Sequence, residues 1–222
     1  MSKLFTIHYA CESLIPKRSS YVTAISVCEI TTKMCTSFSM MDAQKTLGTQ
    51  STPQELEAYL LKVFFEFVSN HSDATWIHWH MHSLLYGFGV LQERFEMIWD
   101  QQAPKITSTL NLPDNIFKEI QHYCRRYPKM YQLFQDNRMI DQAILPGKDE
   151  AASFSKAEYT KIKYSSQAKA KALAMIYDKF QDKSLVISCS RLDKMLWVAG
   201  VLICFLAVVY LYIKGSMKWS WG

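Results

Sequence analysis

Three histidines alternate along the chain within the bulky, aromatic stretch 74–81 and just beyond it. Alternate side chains of a β-strand point to the same side of a sheet, so a strand here would place His78, His80 and His82 on one face. Imidazole nitrogens bind zinc, and Glu12 adds a candidate carboxylate ligand. No cysteine or neighbouring carboxylate completes a ligand set, so we expect neither a bound metal nor a cofactor. We interpret the histidines as hydrogen-bonding groups, with metal binding as the alternative.

Basic and aromatic residues are interleaved between positions 123 and 131. Cationic side chains contact phosphates and aromatic rings stack on bases, so this composition is typical of a nucleic-acid-binding surface. The residues that we predict to contact nucleic acid or a protein partner are Arg125, Arg126, Tyr127 and Lys129. A solvated helix face is the alternative, and solvation also accounts for the lysine-rich stretch 156–183.

Motifs of other common reactive sites are missing from the sequence. There is no Gly-x-Ser-x-Gly nucleophile motif and no glycine-rich phosphate loop. The six cysteines have no CxxC or zinc-like spacing. This pattern predicts reduced thiols rather than a disulfide framework.

The most apolar part of the chain is 195–213, which contains no charged residue. At 1.5 Å per residue it would reach roughly 28 Å as a helix, close to the ~30 Å of a bilayer core, and this predicts a transmembrane helix. Aromatic and basic residues near its ends are typical of anchors at the lipid headgroups, and a small residue within it allows helices to approach closely. The residues that we predict to contact the membrane are Trp197, Gly200, Tyr210, Tyr212, Lys214, Trp219 and Trp221.

Charge and the N-terminal sequence suggest how such an anchor would be oriented. The N-terminus lacks a secretory signal, and several lysines and arginines precede the apolar stretch. We therefore expect a single-pass protein of the inner membrane whose N-terminal domain is cytoplasmic. The predicted organisation is one α/β domain over 1–190, a transmembrane helix over 195–213 and a short Trp/Lys tail over 214–222. The net charge of +5 is too modest to indicate nucleic-acid binding by itself.

The first half of the chain carries clear secondary-structure signals. The stretch Leu4–Ala10 reads as a strand, and the alternating runs Tyr21–Ile30 and Met34–Met40 read as a hairpin. Apolar residues at helical spacing follow Thr52 and Pro53 and predict an amphipathic helix over 53–70. A fourth strand over 74–81 and a helix over 84–98 complete this half.

The second half is harder to interpret because prolines interrupt it. Short helical segments are predicted over 115–126 and 129–134. One or two longer helices are predicted over 149–181, where apolar residues recur intermittently among lysines and alanines.

The order of these elements, three strands, a helix, a strand and then helices, resembles the ribonuclease H-like fold and, more narrowly, the DEDD-type 3′–5′ exonucleases. Ala10-Cys11-Glu12 lies where those exonucleases carry Asp-x-Glu, and the stretch 76–81 lies where they carry an apolar strand that ends in His-Asn. The resemblance implies a mixed sheet with flanking helices. Together with the apolar stretch, the predicted fold class is α/β with one C-terminal transmembrane helix.

The same resemblance implies that catalysis is lost. DEDD-type exonucleases hold two metal ions with about four carboxylates. Here alanine takes the place of the first aspartate, and no acid follows soon after the histidine stretch. Glu12 with Asp149 or Glu150 is too few ligands for a two-metal site. We therefore expect that the chain is not an enzyme.

The block from Trp76 to Phe95 is similar to bacterial defence proteins, and the chain resembles the membrane effector that accompanies the reverse transcriptase of a retron. That resemblance implies a toxin-like effector of abortive infection. A reverse transcriptase and its RNA–DNA product would hold it inactive, and its release during phage infection would perturb the inner membrane. Its partners would be membrane lipid, the reverse transcriptase complex and further copies of itself. Alternatives are a membrane-tethered metal-dependent nuclease and a non-enzymatic membrane scaffold.

Overall fold

A five-stranded mixed sheet forms the centre of the fold. The computed structural model describes residues 2–13, 20–83, 85–124, 127–189 and 191–218, and within the last segment it describes the side chains of 195 and 198–210 only. The strands are β1 (Leu4–Cys11), β2 (Val22–Glu29), β3 (Cys35–Ser39), β4 (Thr75–His78) and β5 (Ser108–Asn111). Their order is β3-β2-β1-β4-β5. The pairs β1–β2 and β2–β3 are antiparallel, whereas β1–β4 and β4–β5 are parallel.

Helices connect and cover the strands. In the part of the chain that the structure describes they are α1 (Met40–Leu47), α2 (Pro53–Ser69), α3 (Phe88–Trp99), α4 (Leu112–Ile120), α5 (Met130–Asp136), α6 (Gly147–Ser155), α7 (Tyr159–Gln181) and α8 (Arg191–Lys218). The start of α2 is fixed by a capping box. The Thr52 hydroxyl accepts from the Glu55 N–H, and the Glu55 carboxylate accepts from the Thr52 N–H.

The two faces of β1 pack against different helices because its side chains alternate. On one face the Phe5 ring lies 5.5 Å from the rings of Phe67 in α2 and Trp76 in β4. On the other face the buried Thr6 hydroxyl donates to the carbonyl of Ala170 in α7, at 2.8 Å. This alternation places α2 and α7 on opposite sides of β1.

The predicted elements of the first half are confirmed, and most of their ends lie within one residue of the prediction. Two elements, β4 and α3, differ from it by three or four residues at one end. The strand β4 ends at His78, because His80 adopts a left-handed φ of 55°. The helix α3 begins at Phe88 rather than at residue 84, which lies outside the described residues. Before it, the chain turns back so tightly that an isolated bridge pairs His82 with Gly87. A Cβ on Gly87 would lie 2.1 Å from the Met81 carbonyl oxygen, so this turn requires glycine.

The second half of the sheet and the cysteines differ from the predictions. The strand β5 was not predicted, and the helix expected over 115–126 is α4, which ends at Ile120. The prediction of six reduced thiols is wrong, because Cys28 and Cys35 form a disulfide across β2 and β3. The two strands pair these residues directly, which brings their Cα atoms to 4.0 Å.

The predicted transmembrane helix over 195–213 is wrong. The chain is helical there, within α8, but no helix formed by the described residues is both long and apolar enough to cross a membrane. The fold class is therefore corrected to α/β, with no membrane-spanning helix among the described residues. The single-pass location in the inner membrane, with a cytoplasmic N-terminal domain, is overturned with it.

The predicted membrane contacts fall into two groups. Gly200 and Tyr210 belong to the described stretch of α8 and are exposed. The side chains of the others lie outside the described residues: Trp197, Tyr212, Lys214, Trp219 and Trp221.

Candidate functional site

The parallel strands bring several polar side chains to one edge of the sheet. Because β1, β4 and β5 run in the same direction, their carboxyl ends, Cys11, His78 and Asn111, lie along that edge. Ligands of α/β proteins bind outside the carboxyl ends of parallel strands. A functional site is therefore expected at this edge.

A cavity of about 220 Å³ lies at the end of β1. Residues from β1, from the turn before α3, and from α6 and α7 contribute to its wall. The polar and sulfur-bearing side chains that line the cavity are His8, Tyr9, Cys11, Ser13, Tyr86, Met130, Glu150 and Lys169.

An ion pair between α6 and α7 forms the charged part of the cavity wall. The Nζ of Lys169 lies 2.7 Å from Oε1 of Glu150, and the two residues are only 4% and 5% exposed. The Ser165 hydroxyl donates to the same carboxylate oxygen at 2.6 Å, and it accepts from the Leu145 N–H at 2.9 Å. The carboxylate is thus compensated by a cation and a hydroxyl, which offsets the cost of burying its charge.

The neighbouring histidine, His8, is the least satisfied polar group of the cavity. It is 7% exposed, and its Nδ1 has no hydrogen-bond partner in the part of the chain that the structure describes. Burial, and then the positive charge of Lys169, hold the pKa of His8 well below its usual range. His8 is therefore neutral at pH 7, with a ring nitrogen available to a ligand.

Two stacked tyrosines form the aromatic wall. The rings of Tyr9 and Tyr86 lie 4.3 Å apart and are nearly parallel, at 10°. The Tyr86 hydroxyl donates to the Tyr9 carbonyl at 2.9 Å, and the Gly87 N–H donates to the Tyr9 hydroxyl at 2.8 Å. Burial raises the pKa of both phenols, so neither ionises at neutral pH. This wall is rigid and uncharged.

Among the described residues that line the cavity, Cys11 is not an activated nucleophile. Burial and the negative charge of Glu150 raise the pKa of the Cys11 thiol to about 12. A cysteine reacts as the thiolate, so Cys11 is inert near pH 7. At the positions compared with Asp-x-Glu, Ala10 is buried and offers no ligand, while Glu12 is half-buried. Among the described residues, no three or more His, Cys, Asp or Glu side chains are grouped so that they could hold a metal.

The three histidines of the predicted row lie near one another but not on one strand face. The ring centroids of His78 and His82 are 6.1 Å apart, and those of His80 and His82 are 6.0 Å apart. Nδ1 of His78 accepts from the Met81 N–H at 3.0 Å, so that nitrogen is occupied. Burial lowers the pKa of His78 to about 4 and lowers that of His80 as well, with the neighbouring imidazoles adding to both shifts. The rings of His78 and His80 are therefore neutral at pH 7.

The predicted nucleic-acid or partner contacts lie beside the histidines. The Tyr127 ring stacks on His80 with centroids 5.2 Å apart, and its hydroxyl donates to the Asp114 carboxylate. The Asn111 side chain holds this arrangement together, because it donates to Asp114 and accepts from the backbone N–H of His80. Lys129 is exposed beside them. Arg125 and Arg126 lie outside the described residues.

Sequence reasoning missed the residue that dominates the cavity, Lys169. It belongs to a lysine-rich helix for which solvation was the simpler interpretation. A usable signal was present, because small residues surround this lysine at positions 165, 166, 168, 170 and 172, as expected for a closely packed helix face.

The chain matches no known protein family, and no curated protein is significantly similar to it. Its function is therefore inferred from the geometry of the carboxyl edge of the sheet.

Proposed function

We propose that this chain is a ribonuclease H-like domain that binds a ligand or partner at the carboxyl edge of its sheet without hydrolysing it. The order β3-β2-β1-β4-β5 supports the first part, because three antiparallel strands adjoin two parallel ones, followed by the helices that the resemblance implies. The cavity at the end of β1 supports the second part. It lies where the comparison with the exonucleases puts the metal-binding carboxylates.

The single observation that carries the proposal is the buried pair of Lys169 and Glu150. A divalent metal ion would need the Glu150 carboxylate as a ligand, but one oxygen of that carboxylate already binds an ammonium at 2.7 Å. Lys169 is thus the resident cation of the site. If a metal ion took the place of the ammonium, Lys169 would have to separate from Glu150 while still buried. Separating such a pair costs on the order of 3–5 kcal/mol.

The rest of the cavity is consistent with binding rather than hydrolysis. His8 is neutral and could act as a base, but the described residues offer no metal-binding cluster to activate water beside it. The attack of hydroxide on a phosphodiester needs cations that neutralise the phosphate, and a single ammonium engaged with Glu150 supplies little net charge.

The test is an exonuclease assay on the full chain. End-labelled single-stranded DNA and RNA are incubated in the presence of Mn²⁺ or Mg²⁺ with the wild type, with Glu150→Gln or with Glu119→Gln. Glu119 is an exposed residue outside the cavity and serves as the control. We expect no degradation by any of the three. Degradation by the wild type and the control that is lost in Glu150→Gln would contradict the proposal.

The defence role stays a prediction that follows from the resemblance to retron effectors. In this proposal the domain would act as the sensing or clamping part of such a system, restrained by a reverse transcriptase with its RNA–DNA product. The membrane-perturbing step is not part of it. The prediction is tested by whether the purified chain binds an RNA–DNA hybrid alone or together with a retron reverse transcriptase, and no binding in either case would exclude it.

A further inference from the structure

The disulfide between Cys28 and Cys35 is far more accessible from one side than from the other. Cys28 is fully buried and packs against Ala170 and Ala174 of α7. Cys35 is partly exposed on β3, which is an edge strand of the sheet. The disulfide is therefore more exposed at Cys35 than at Cys28.

Cys35, the more exposed cysteine of the pair, borders a surface cleft. Cys35 lines a cleft of about 370 Å³, whose charged residues are Lys33, Lys171 and Asp141. Lys33 forms an ion pair with Asp178, and Lys171 is exposed on α7. A cleft of this size admits a small thiol or a cysteine side chain, and lysines near a sulfur favour the thiolate form.

The hairpin does not depend on the disulfide for its register. Five pairs of residues join β2 to β3, from Ala24–Ser39 to Cys28–Cys35. At the turn, the Glu29 N–H donates to the Met34 carbonyl at 3.0 Å and the Lys33 N–H donates to the Glu29 carbonyl at 2.9 Å. The strands therefore remain paired when the sulfurs separate, and each thiol stays opposite the other.

We propose that Cys28–Cys35 is a thiol–disulfide exchange site that is entered by attack on Sγ of Cys35. The thiolate of a dithiol reductant forms a bond to Cys35 Sγ, the Cys28–Cys35 bond breaks, and Cys28 leaves as a thiolate that takes a proton. The second thiolate of the reductant then attacks its own sulfur in the mixed disulfide and releases Cys35. The protein gains two electrons and two protons, and the dithiol is oxidised to a disulfide.

The direction of attack follows from access. A thiolate must approach the disulfide in line with the bond, from the side of the sulfur that it attacks. At Cys28 that approach is closed by α7, because Ala170 and Ala174 are both fully buried beside it. Cys35, by contrast, is partly exposed and lines the cleft. The bond re-forms by the reverse route, because Cys28 is held against α7 in position to attack an adduct on Cys35.

The first test traps the intermediate in the wild-type chain. Free thiols are blocked with N-ethylmaleimide, and the folded protein is treated with reduced glutathione. The reaction is quenched with a distinguishable maleimide in denaturant, so that buried thiols are also labelled before peptide mapping. We expect glutathione on Cys35 and the second maleimide on Cys28, with an unchanged far-ultraviolet circular dichroism spectrum. Glutathione on Cys28, or reduction only after unfolding in urea, would overturn the proposal.

Two single variants test the same difference in reactivity between Cys28 and Cys35, with a disulfide reagent in place of a thiol. Cys28→Ser leaves only Cys35 at this site, and Cys35→Ser leaves only Cys28. With glutathione disulfide, we expect Cys35 to be modified at least ~10-fold faster in the first variant than Cys28 is in the second, because thiol reactivity follows exposure. Equal rates, or faster modification of Cys28, would overturn the proposal.

Discussion

Removing the ammonium of Lys169 should destabilise the protein more than removing any exposed lysine. In Lys169→Met, the Glu150 carboxylate keeps its hydrogen bond from Ser165 but loses a cation at 2.7 Å. Because both residues are almost fully buried, the expected loss in the free energy of unfolding at pH 7 is about 3–5 kcal/mol. Lys171→Met, on the exposed face of the same helix, should change it by less than ~0.5 kcal/mol.

The double variant separates the effect of the unpaired charge from that of packing. Glu150→Gln combined with Lys169→Met removes both charges, so we expect it to recover most of the loss in the free energy of unfolding.

The assay is urea unfolding at pH 7, monitored by circular dichroism. The reasoning would be refuted if Lys169→Met cost less than ~1 kcal/mol at pH 7, or if the double variant were no more stable than the single one. Either result would mean that Glu150 and Lys169 are well solvated, and the interpretation of Lys169 as a resident cation would fail with it.

Three further predictions concern other parts of the fold. Gly87→Ala should destabilise the protein by several kcal/mol, because its Cβ would meet a backbone carbonyl oxygen at 2.1 Å. Gly89→Ala is the control: Gly89 lies in α3 with open space around it, so this variant should be neutral or should stabilise the protein by up to ~1 kcal/mol. Urea unfolding of the two variants checks this prediction. Burial lowers the pKa of His78 to about 4 in the folded protein, whereas in the unfolded chain it is near the usual 6.5. Between these two values the unfolded chain binds more protons, so stability falls as the pH drops from about 6.5 to 4. His78→Asn keeps an acceptor for the Met81 N–H and should remove up to ~3 kcal/mol of this acid-induced loss of stability. The control is His122→Asn, at an exposed position, which should leave the loss in place. The prediction would be contradicted if the free energy of unfolding of the two variants fell with pH at the same slope. If the chain binds an RNA–DNA hybrid through the segment 123–131, Lys129→Ala should weaken binding and make it less dependent on salt in an electrophoretic mobility-shift titration, and an unchanged salt dependence would argue against a phosphate contact.

Local sequence signals were sufficient for the elements that depend on local chemistry. The helix α2 carries a capping box and an apolar stripe, and both are readable within a few residues. The hairpin of β2 and β3 is likewise encoded by alternation and a short turn. These elements would be predicted correctly in any tertiary context, because their determinants lie within them.

The remaining elements depend on partners distant in the sequence. The strand β5 is four residues long and only partly buried, and it exists because β4 pairs with it. The Glu150–Lys169 pair joins two helices, so neither residue alone indicates burial. The disulfide depends on the register of two strands rather than on a cysteine motif.

The histidine row shows how a correct local pattern can lead to a wrong geometry. Alternation predicted one strand face, but the chain leaves the sheet after His78, and the left-handed backbone at His80 redirects the side chains that follow. His78 then binds a backbone N–H while His80 stacks on Tyr127. The sequence could not reveal this, because the turn is determined by the close approach of Gly87 to Met81.

The most direct test of the central claim is calorimetric titration of Mn²⁺ into the wild-type chain, Lys169→Met and Glu150→Gln. If Lys169 is the resident cation, the wild type binds no Mn²⁺ at this cavity at millimolar concentration, and its titration is indistinguishable from that of Glu150→Gln. A stoichiometric Mn²⁺ site in the wild type that is lost in Glu150→Gln would contradict the account, because the carboxylate would then be available to a metal despite its ammonium partner.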